Sequence, residues 1–288
     1  MNISNLKKSG FALTPLFLAA SILLSVALNL AAAGKERRIY VVTDLEGISG
    51  VYQFAQTRET DTPLARQARE YFMGDLAAVV RGLRDGGATD VLVLDGHGNQ
   101  AMIPHLAEPG ARYITGQPRP GFLIGLDSSF VGLVLLGYHA MMGTSNAVLH
   151  HTQSSKSENR YWYNGLESGE LAQCAAIAGH FGVPPILVTG DDATCREAER
   201  FFGASCVTVS VKRGIAREAA ELYPFQETRK ALYRGARKAM RAIPHCKPYR
   251  LEWPVKAKMQ FLSFENPSQP ALQIREAVIP DGLHILDF

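Results

Sequence analysis

The sequence predicts an α/β fold, layered α/β/α with a largely parallel or mixed central sheet and a smaller C-terminal α+β lobe. Short, continuously apolar segments typical of buried strands alternate with segments that repeat apolar residues at helical spacing. Such alternation is typical of a sheet covered by helices. With 288 residues, 47% of them hydrophobic, the chain is long enough to bury a full core without disulfide bonds.

The chain begins with an apolar segment that resembles a leader. Lys7 and Lys8 precede an uncharged run over residues 11–33, which ends in three alanines, the kind of small-residue site that signal peptidase cleaves. Residues 1–33 are therefore expected to be a signal peptide, and the protein to be periplasmic or secreted. Because the run is also long enough to span a bilayer, the alternative is an uncleaved membrane anchor over residues 11–33. A membrane partner is expected only in that case.

Residues 34–212 are expected to form the α/β domain. After a strand at 38–43, Thr62 and Pro63 supply the cap and the first residue of a helix that stops at Gly86 and Gly87. Further strands are predicted at 91–94, 131–136, 186–189 and 206–211, and further helices at about 169–181 and 192–202.

Residues 213–288 are expected to form the smaller lobe. The segment from Ile215 to about Ile243 is basic and mostly helical in pattern, and strands are predicted at 259–264 and 272–278. The cysteines show no zinc-ligand spacing, and their pairing stays open. They are Cys174, Cys195, Cys206 and Cys246, of which Cys195 and Cys206 are closest in sequence.

The charge of the chain argues against nucleic acid as a partner. The formal net charge is +3, and Lys7 and Lys8 of the leader supply two of these charges. The remaining chain is therefore close to neutral, whereas nucleic-acid binding needs a concentrated basic surface.

Acidic and imidazole side chains follow three of the predicted strands. Asp44 and Glu46 come directly after the first strand, His97 follows the second and His139 the third. Because side chains at i and i+2 of a strand project to the same side, both carboxylates can face one cation. Ligand sites in open α/β sheets lie at the carboxyl ends of the strands. Glu170, at the start of a predicted helix, is a fifth candidate.

Each of these residues also has a plain structural interpretation. An isolated Asp-x-Glu-Gly is more often a solvated turn, and a lone histidine at a strand end is more often a hydrogen-bonded structural residue. Glu170 also fits a first-turn acid favoured by the helix dipole. The recurrence at three strand ends favours a shared site. Carboxylates and imidazoles without cysteine suit zinc or manganese, and five such groups suffice for two divalent ions.

Six motifs, in order, resemble those of one known family, the D-aminopeptidases of the dipeptide-transport-protein type, metallopeptidase family M55. The resemblance covers most of the chain after residue 33. The motifs lie at residues 43–50 (TDLEGISG), 94–98 (LDGHG), 137–141 (GYHAM), 148–152 (VLHHT), 169–170 (GE) and 189–192 (TGDD). Leu45 departs from the family pattern, which usually has methionine there.

The resemblance implies a pair of zinc ions held in the α/β domain. The family's metal ligands fall on Asp44, Glu46, His97, His139 and Glu170. Asp44 corresponds to the carboxylate that bridges the two ions. The family's catalytic histidine falls on His151, which keeps the spacing of its motif, with His150 as the alternative. The resemblance also implies a ring-like homo-oligomer.

The expected function is that of a metal-dependent aminopeptidase that hydrolyses the N-terminal residue of short peptides through a metal-bridged water. A preference for D-amino-acid peptides follows from the resemblance alone. Two alternatives stay open. One is an exported, non-catalytic peptide-binding protein, and the other is a metal-dependent amidase or deacylase that acts on other small amides.

Residues that would hold the two ends of a peptide are less defined in the sequence. Asp191, Asp192 and Glu167 are candidates for binding the substrate ammonium, although Asp192 is better explained as a helix cap. Lys212 and Arg213 are candidates for binding the substrate carboxylate, although basic residues in such a position are usually solvated.

Overall fold

A seven-stranded sheet runs through the protein, whose computed structural model describes residues 36–98 and 100–288. The strands are β1 (Arg38–Thr43), β2 (Asp90–Asp95), β3 (Arg112–Ile114), β4 (Phe130–Leu136), β5 (Arg160–Tyr163), β6 (Leu166–Ser168), β7 (Pro185–Asp191), β8 (Val207–Ala216), β9 (Ala219–Leu222), β10 (Val255–Ser263) and β11 (Ala271–Ile279). The seven-stranded sheet has the order β3-β2-β1-β4-β7-β8-β9. Its pairings are parallel except for β8 with β9, which is antiparallel. The remaining strands form an antiparallel sheet in the order β11-β10-β5-β6.

Helices cover both faces of the large sheet. They are α1 (Pro63–Asp85), α2 (Glu170–His180), α3 (Asp192–Phe202) and α4 (Phe225–Ala242). Because strand side chains alternate, neighbouring residues of β1 enter different cores. Ile39 and Val41 pack in a core with residues of α1 and α4, whereas Tyr40 and Val42 pack in a second core with residues of α2 and the four-stranded sheet.

The start and end of α1 follow from its sequence. The Thr62 hydroxyl accepts a hydrogen bond from the backbone N–H of Ala65 at 3.1 Å, and Pro63 occupies the first helical position, where its missing N–H is not needed. The helix ends before Gly86 and Gly87, and Gly87 has a φ of +95°, a conformation that glycine adopts without strain. The predicted helix is confirmed.

The predicted α/β class with a mixed central sheet is also confirmed, but the predicted helix from Ile215 is wrong over its first ten residues. β8 continues to Ala216, and β9 pairs with it before α4 begins at Phe225. Edge pairing therefore overrides the helical propensity of the alanine-rich segment between them. Short β3, β5 and β6 were not predicted.

Residues 213–288 are shared between the two sheets, since β9 and α4 pack with the large sheet and β10 and β11 belong to the small one. The predicted boundary at residue 212 lies within β8, and residues Arg37–Phe288 form one compact unit. A separate lobe beyond that boundary stays a prediction.

The predicted leader over residues 1–33 lies outside the described residues. Across residues 36–98 and 100–288, none of the helices combines the length and the hydropathy needed to cross a membrane. The four cysteines all lie in the described part of the chain, and each is a free thiol.

Candidate metal centre

The residues predicted to form a site lie together at the carboxyl edge of the large sheet. β2, β1 and β4 are neighbours in that sheet, so the segments that follow them meet. A cavity of about 360 Å³ opens there and is lined by Asp44, Glu46, His97, His151 and Glu170. His139, which is 2% exposed, lies between Asp44 and Glu170. The structure therefore brings the six predicted side chains together.

The two carboxylate oxygens of Asp44 face two different groups of side chains. Oδ1 of Asp44 lies 2.9 Å from Nδ1 of His97, and that nitrogen lies 3.2 Å from Oε2 of Glu46. Oδ2 of Asp44 lies 3.3 Å from Nε2 of His139, and that nitrogen lies 3.5 Å from Oε1 of Glu170. Asp44 therefore joins an Asp44–Glu46–His97 group to an Asp44–His139–Glu170 group, as a carboxylate shared by two cations must.

Backbone carbonyls fix which ring nitrogen of His97 and of His139 faces the carboxylates. Nε2 of His97 lies 3.0 Å from the carbonyl oxygen of Thr57, and Nδ1 of His139 lies 3.0 Å from that of Ala140. Since a carbonyl only accepts, these nitrogens carry hydrogens. The opposite nitrogen of each ring faces carboxylate oxygens, which raise the pKa of both imidazoles against the effect of burial and favour a proton on that nitrogen. A divalent cation would replace this proton between the nitrogen and the carboxylates.

Three buried polar atoms of this cluster lack a hydrogen-bond partner in the described part of the chain. Oδ2 of Asp44, Oε2 of Glu46 and Nε2 of His139 are buried and, within the described chain, make no hydrogen bond of good geometry. Unpaired buried polar atoms are costly. Divalent ions bound in this cluster would satisfy these atoms, so the donor set fits zinc. Two overlapping groups have ligand atoms within 4.8 Å of one another, Asp44 with Glu46 and His139, and His139 with His151 and Glu170.

The pKa values show how strongly the site favours positive charge. Burial opposes charge on Asp44, yet the imidazoles of His139 and His97 hold its pKa well below the usual range. Burial also opposes charge on His139, yet Glu170 and Asp44 raise its pKa to about 10. The pKa of His97 is likewise raised well above its ordinary value by Glu46 and Asp44, against burial. Burial raises the pKa of Glu170 to about 7, opposed by His139.

His151, rather than His150, faces the cavity. The His151 ring is 7% exposed, and its Nε2 lies 3.9 Å from Oε1 of Glu170. Its Nδ1 lies 2.8 Å from the carbonyl oxygen of Leu149 and therefore carries the hydrogen. Burial and the neighbouring His139 lower the pKa of His151 to about 4. His150 is partly exposed and accepts a hydrogen bond from the backbone N–H of Gly143 at 3.1 Å.

Gly47 allows the two loops that carry Asp44, Glu46 and His139 to touch. Its backbone N–H donates to the carbonyl oxygen of Gly137 at 2.7 Å, and a Cβ added to Gly47 would lie 1.8 Å from the carbonyl oxygen of Tyr138. Asp44 and Glu46 flank Gly47 in one loop, and His139 follows in the other. The glycine of the first motif is therefore needed for close backbone approach.

The three acids considered for binding the substrate ammonium lie away from the cavity. Asp191 is the N-cap of α3, because its Oδ1 accepts from the Thr194 N–H at 2.7 Å, and Asp192 is the first helical residue. Glu167 forms an ion pair with Arg160 at 2.6 Å. None of the three candidate acids lines the cavity in the described structure.

Several buried charged residues behind the site were not predicted to support it. Lys212 is fully buried instead of solvated, Asp75 is 1% exposed, and Glu197 accepts a hydrogen bond from the Met141 N–H at 2.8 Å, two residues after His139. No motif marks these residues, since isolated charges on helices and strands usually indicate solvated faces.

Comparisons with known proteins identify a family and a fold. The family model Peptidase_M55, described as D-aminopeptidase, matches residues 37–272. A D-aminopeptidase of Bacillus subtilis (strain 168) is 32% identical over 193 residues, which span 64% of this chain and 66% of that relative. A solved structure of the Zn-dependent D-aminopeptidase DppA from Bacillus subtilis, described as a self-compartmentalizing protease, shares the fold. Its TM-score is 0.79 at 24% identity, over 86% of this chain and 93% of the other.

Proposed function

This chain belongs to the Peptidase_M55 family of D-aminopeptidases, and on that premise we propose that it is a zinc-dependent aminopeptidase that hydrolyses the N-terminal residue of short peptides, including peptides of D-amino acids. The observation that carries the proposal is the position of Asp44, whose two oxygens face separate groups of carboxylate and imidazole ligands. The relative and the solved structure named above are D-aminopeptidases, which supports the choice of substrate.

Five residues would hold two divalent ions. Glu46 and His97 would complete the site at Oδ1 of Asp44, and His139 and Glu170 would complete the site at Oδ2. When bound, such ions polarise a scissile carbonyl and lower the pKa of water towards about 7. The hydrogen bonds of His97 and His139 to backbone carbonyls orient the rings and leave Nδ1 of His97 and Nε2 of His139 to bind the ions.

His151 would transfer protons during peptide hydrolysis. Its Nδ1–H donates to the Leu149 carbonyl, so Nε2 presents a lone pair towards Glu170 and the cavity. The low pKa keeps this ring neutral near pH 7, as a general base must be. After accepting a proton at Nε2, the ring can return it to the departing amine. His151 touches the cavity, whereas His150 does not line it in the described structure.

A peptide-hydrolysis assay with a metal measurement tests the proposal. The purified protein would be incubated with D-Ala-D-Ala and with L-Ala-L-Ala, with and without added zinc, and free alanine would be quantified. We expect zinc-dependent release of alanine, and loss of both zinc and activity in Asp44→Ala, because that change removes a ligand from both sites. Retained zinc and unchanged turnover in Asp44→Ala would refute the proposal.

The same assay separates the alternative functions. A peptide-binding protein would retain the dipeptide and release no amino acid. An amidase or deacylase would leave both dipeptides intact but cleave members of a panel of acylated small amides. The ligand set favours catalysis, because a binding protein has no need for a buried cluster of carboxylates and imidazoles.

We further propose that the protein assembles into a homo-oligomer through β11. This strand forms the edge of the small sheet, and its residues 271–278 are all exposed. Leu272, Ile274 and Val278 are 56%, 59% and 67% exposed and share one face of the strand. An apolar edge strand of this kind favours pairing with another chain. The solved relative is described as self-compartmentalizing, which supports a second copy as the partner.

We also propose that the protein is exported. It is supported by Lys7 and Lys8, by the uncharged run over residues 11–33 and by the alanines that end it. The family match begins at residue 37, after this segment. N-terminal sequencing of the protein from fractionated cells would identify a cleaved leader by a new terminus near residue 34, whereas an intact terminus in the membrane fraction would indicate an anchor.

A further inference from the structure

Lys212 supports the loop that carries two of the proposed metal ligands. Its side chain is fully buried, and its ammonium donates hydrogen bonds to the carbonyl oxygens of Glu46 at 2.6 Å, Ile48 at 2.9 Å and Val51. An ammonium has three donors and no acceptor, so these three carbonyls match its full capacity. All three acceptors belong to the loop that follows β1.

The buried position of Lys212 coincides with a shift in the pairing register of β7 and β8. Burial alternates along β8 as far as Val211, but Val211 and Lys212 are both buried. The pairing of β7 with β8 shifts between Gly190 and Asp191, so that Asp191 lies opposite Lys212. Such irregularities redirect side chains at the edge of functional sites. Arg213, the next residue, is exposed and pairs with Glu221.

Asp75, a residue of α1, binds the same loop. Its Oδ2 accepts a hydrogen bond from the backbone N–H of Ser49 at 2.9 Å, and the residue is 1% exposed. The loop is therefore fixed through its carbonyls by a buried cation and through an N–H by a buried carboxylate. No salt bridge of Lys212 occurs among residues 36–98 and 100–288. A buried charge without a directly paired counter-ion is costly, so hydrophobic burial alone does not account for Lys212.

Resting on the proposed function, we propose that Lys212 is a positioning residue for the metal site formed by Oδ1 of Asp44, Glu46 and His97. Its ammonium binds the backbone carbonyl of Glu46 itself and of two later residues, and it thereby sets the direction of the Glu46 carboxylate. The other metal site draws His139 and Glu170 from segments that Lys212 does not contact through a hydrogen bond. Loss of Lys212 should therefore weaken one of the two sites selectively.

Zinc binding by Lys212→Met tests this role, because methionine keeps most of the volume and removes the ammonium. Zinc per chain would be measured by elemental analysis after dialysis against buffers of known free zinc, with far-UV circular dichroism to check the fold. The wild-type chain should bind roughly two ions, and the variant should hold one with unchanged affinity and the second about 10- to 100-fold more weakly. Arg213→Met, an exposed change on the same strand, is the matched control and should bind like the wild type.

Double variants identify which site is weakened. Combining Lys212→Met with Glu46→Gln should cause little further loss of zinc, because both changes affect the same site. Combining it with Glu170→Gln should weaken the binding of both ions, because each change affects a different site. If Lys212→Met fails to fold, Lys212→Gln keeps a shorter, neutral donor and should show the same selective loss.

The outcomes distinguish this inference from the proposed function. Zinc binding like that of Arg213→Met, in a wild-type protein that binds two ions and hydrolyses peptides, would overturn the role of Lys212 alone. Equal weakening of both ions in a correctly folded variant would also overturn it. A wild-type chain that binds no zinc would refute the proposed function itself.

Discussion

The imidazole rings of His139 and His151 are stacked, with their centroids 3.8 Å apart and their planes inclined by 13°. Two positive charges at this distance would repel each other, and the two rings have opposite surroundings. Glu170 and Asp44 raise the pKa of His139 to about 10 against the effect of burial, whereas burial and His139 lower the pKa of His151 to about 4. The stack therefore places His139, whose surroundings favour positive charge, against His151, whose ring stays neutral near pH 7.

Replacing His151 with alanine should impair turnover without removing the metal. We expect kcat to fall by roughly 10² to 10⁴, the usual contribution of a proton-transferring group. Zinc content should remain that of the wild type, because the proposed ligands are intact. Turnover and elemental zinc would be measured together, with His150→Ala as the control that should change kcat little. Loss of zinc in His151→Ala would make that residue a ligand instead.

Replacing Gly47 with alanine should disrupt the contact between the two ligand loops. The added Cβ would lie 1.8 Å from the carbonyl oxygen of Tyr138, which must move. We expect a loss of about 2 kcal/mol or more in the free energy of unfolding, together with weaker zinc binding. Urea denaturation and zinc titration would measure both. Gly121→Ala is the control, since a Cβ there meets no atom within 4 Å. Equal behaviour of the two variants would show that the close approach is unimportant.

Replacing Glu197 with glutamine should change how stability depends on pH. Burial raises the pKa of Glu197 to about 7 from 4.5, so its proton stabilises the fold at low pH and that contribution is lost as pH rises through about 7. The variant should therefore gain roughly 1 to 3 kcal/mol relative to the wild type between pH 5 and pH 8. Urea denaturation at both pH values measures this difference. Glu199→Gln, an exposed carboxylate on the same helix, should show little change, and a flat difference for Glu197→Gln would contradict the expectation.

Replacing Ile274 with lysine should weaken assembly. Ile274 is 59% exposed on the apolar face of β11, and a charge there should oppose pairing with a second copy. Analytical ultracentrifugation should show a shift towards monomer. Gln273→Lys places the same charge on the opposite face of the strand and should have the smaller effect. A monomeric wild-type protein would remove the basis of the proposed assembly.

The clustering of the proposed ligands could be predicted because most of them follow a strand with a simple sequence signature. Asp44, His97 and His139 come at or just after the ends of continuously apolar strands, and parallel neighbours bring such ends to one edge. Predicting the place of Glu170 required locating the start of α2, which a glycine and the apolar residues that follow indicate. The central sheet was predictable for the same reason.

Other features depend on tertiary contacts that local patterns do not carry. Lys212 is buried beside a shift in strand register, and the pattern of β8 alone would leave it solvated. Asp191 caps α3 where the sequence offers two adjacent acids of equal capping ability. The small sheet joins β5 and β6 to strands almost a hundred residues later, and such long-range pairing cannot be deduced from periodicity.

Glu170 is the last of the five proposed ligands to emerge during synthesis, and it follows the hairpin of β5 and β6. A nascent chain synthesised as far as His139 already contains Asp44, Glu46, His97 and His139, but of the two proposed sites only the one at Oδ1 of Asp44 has all its ligands. The site at Oδ2 is therefore complete only when Glu170, the first residue of α2, is in place. Binding of an ion there would stabilise the docked position of α2, since ion binding and folding are coupled.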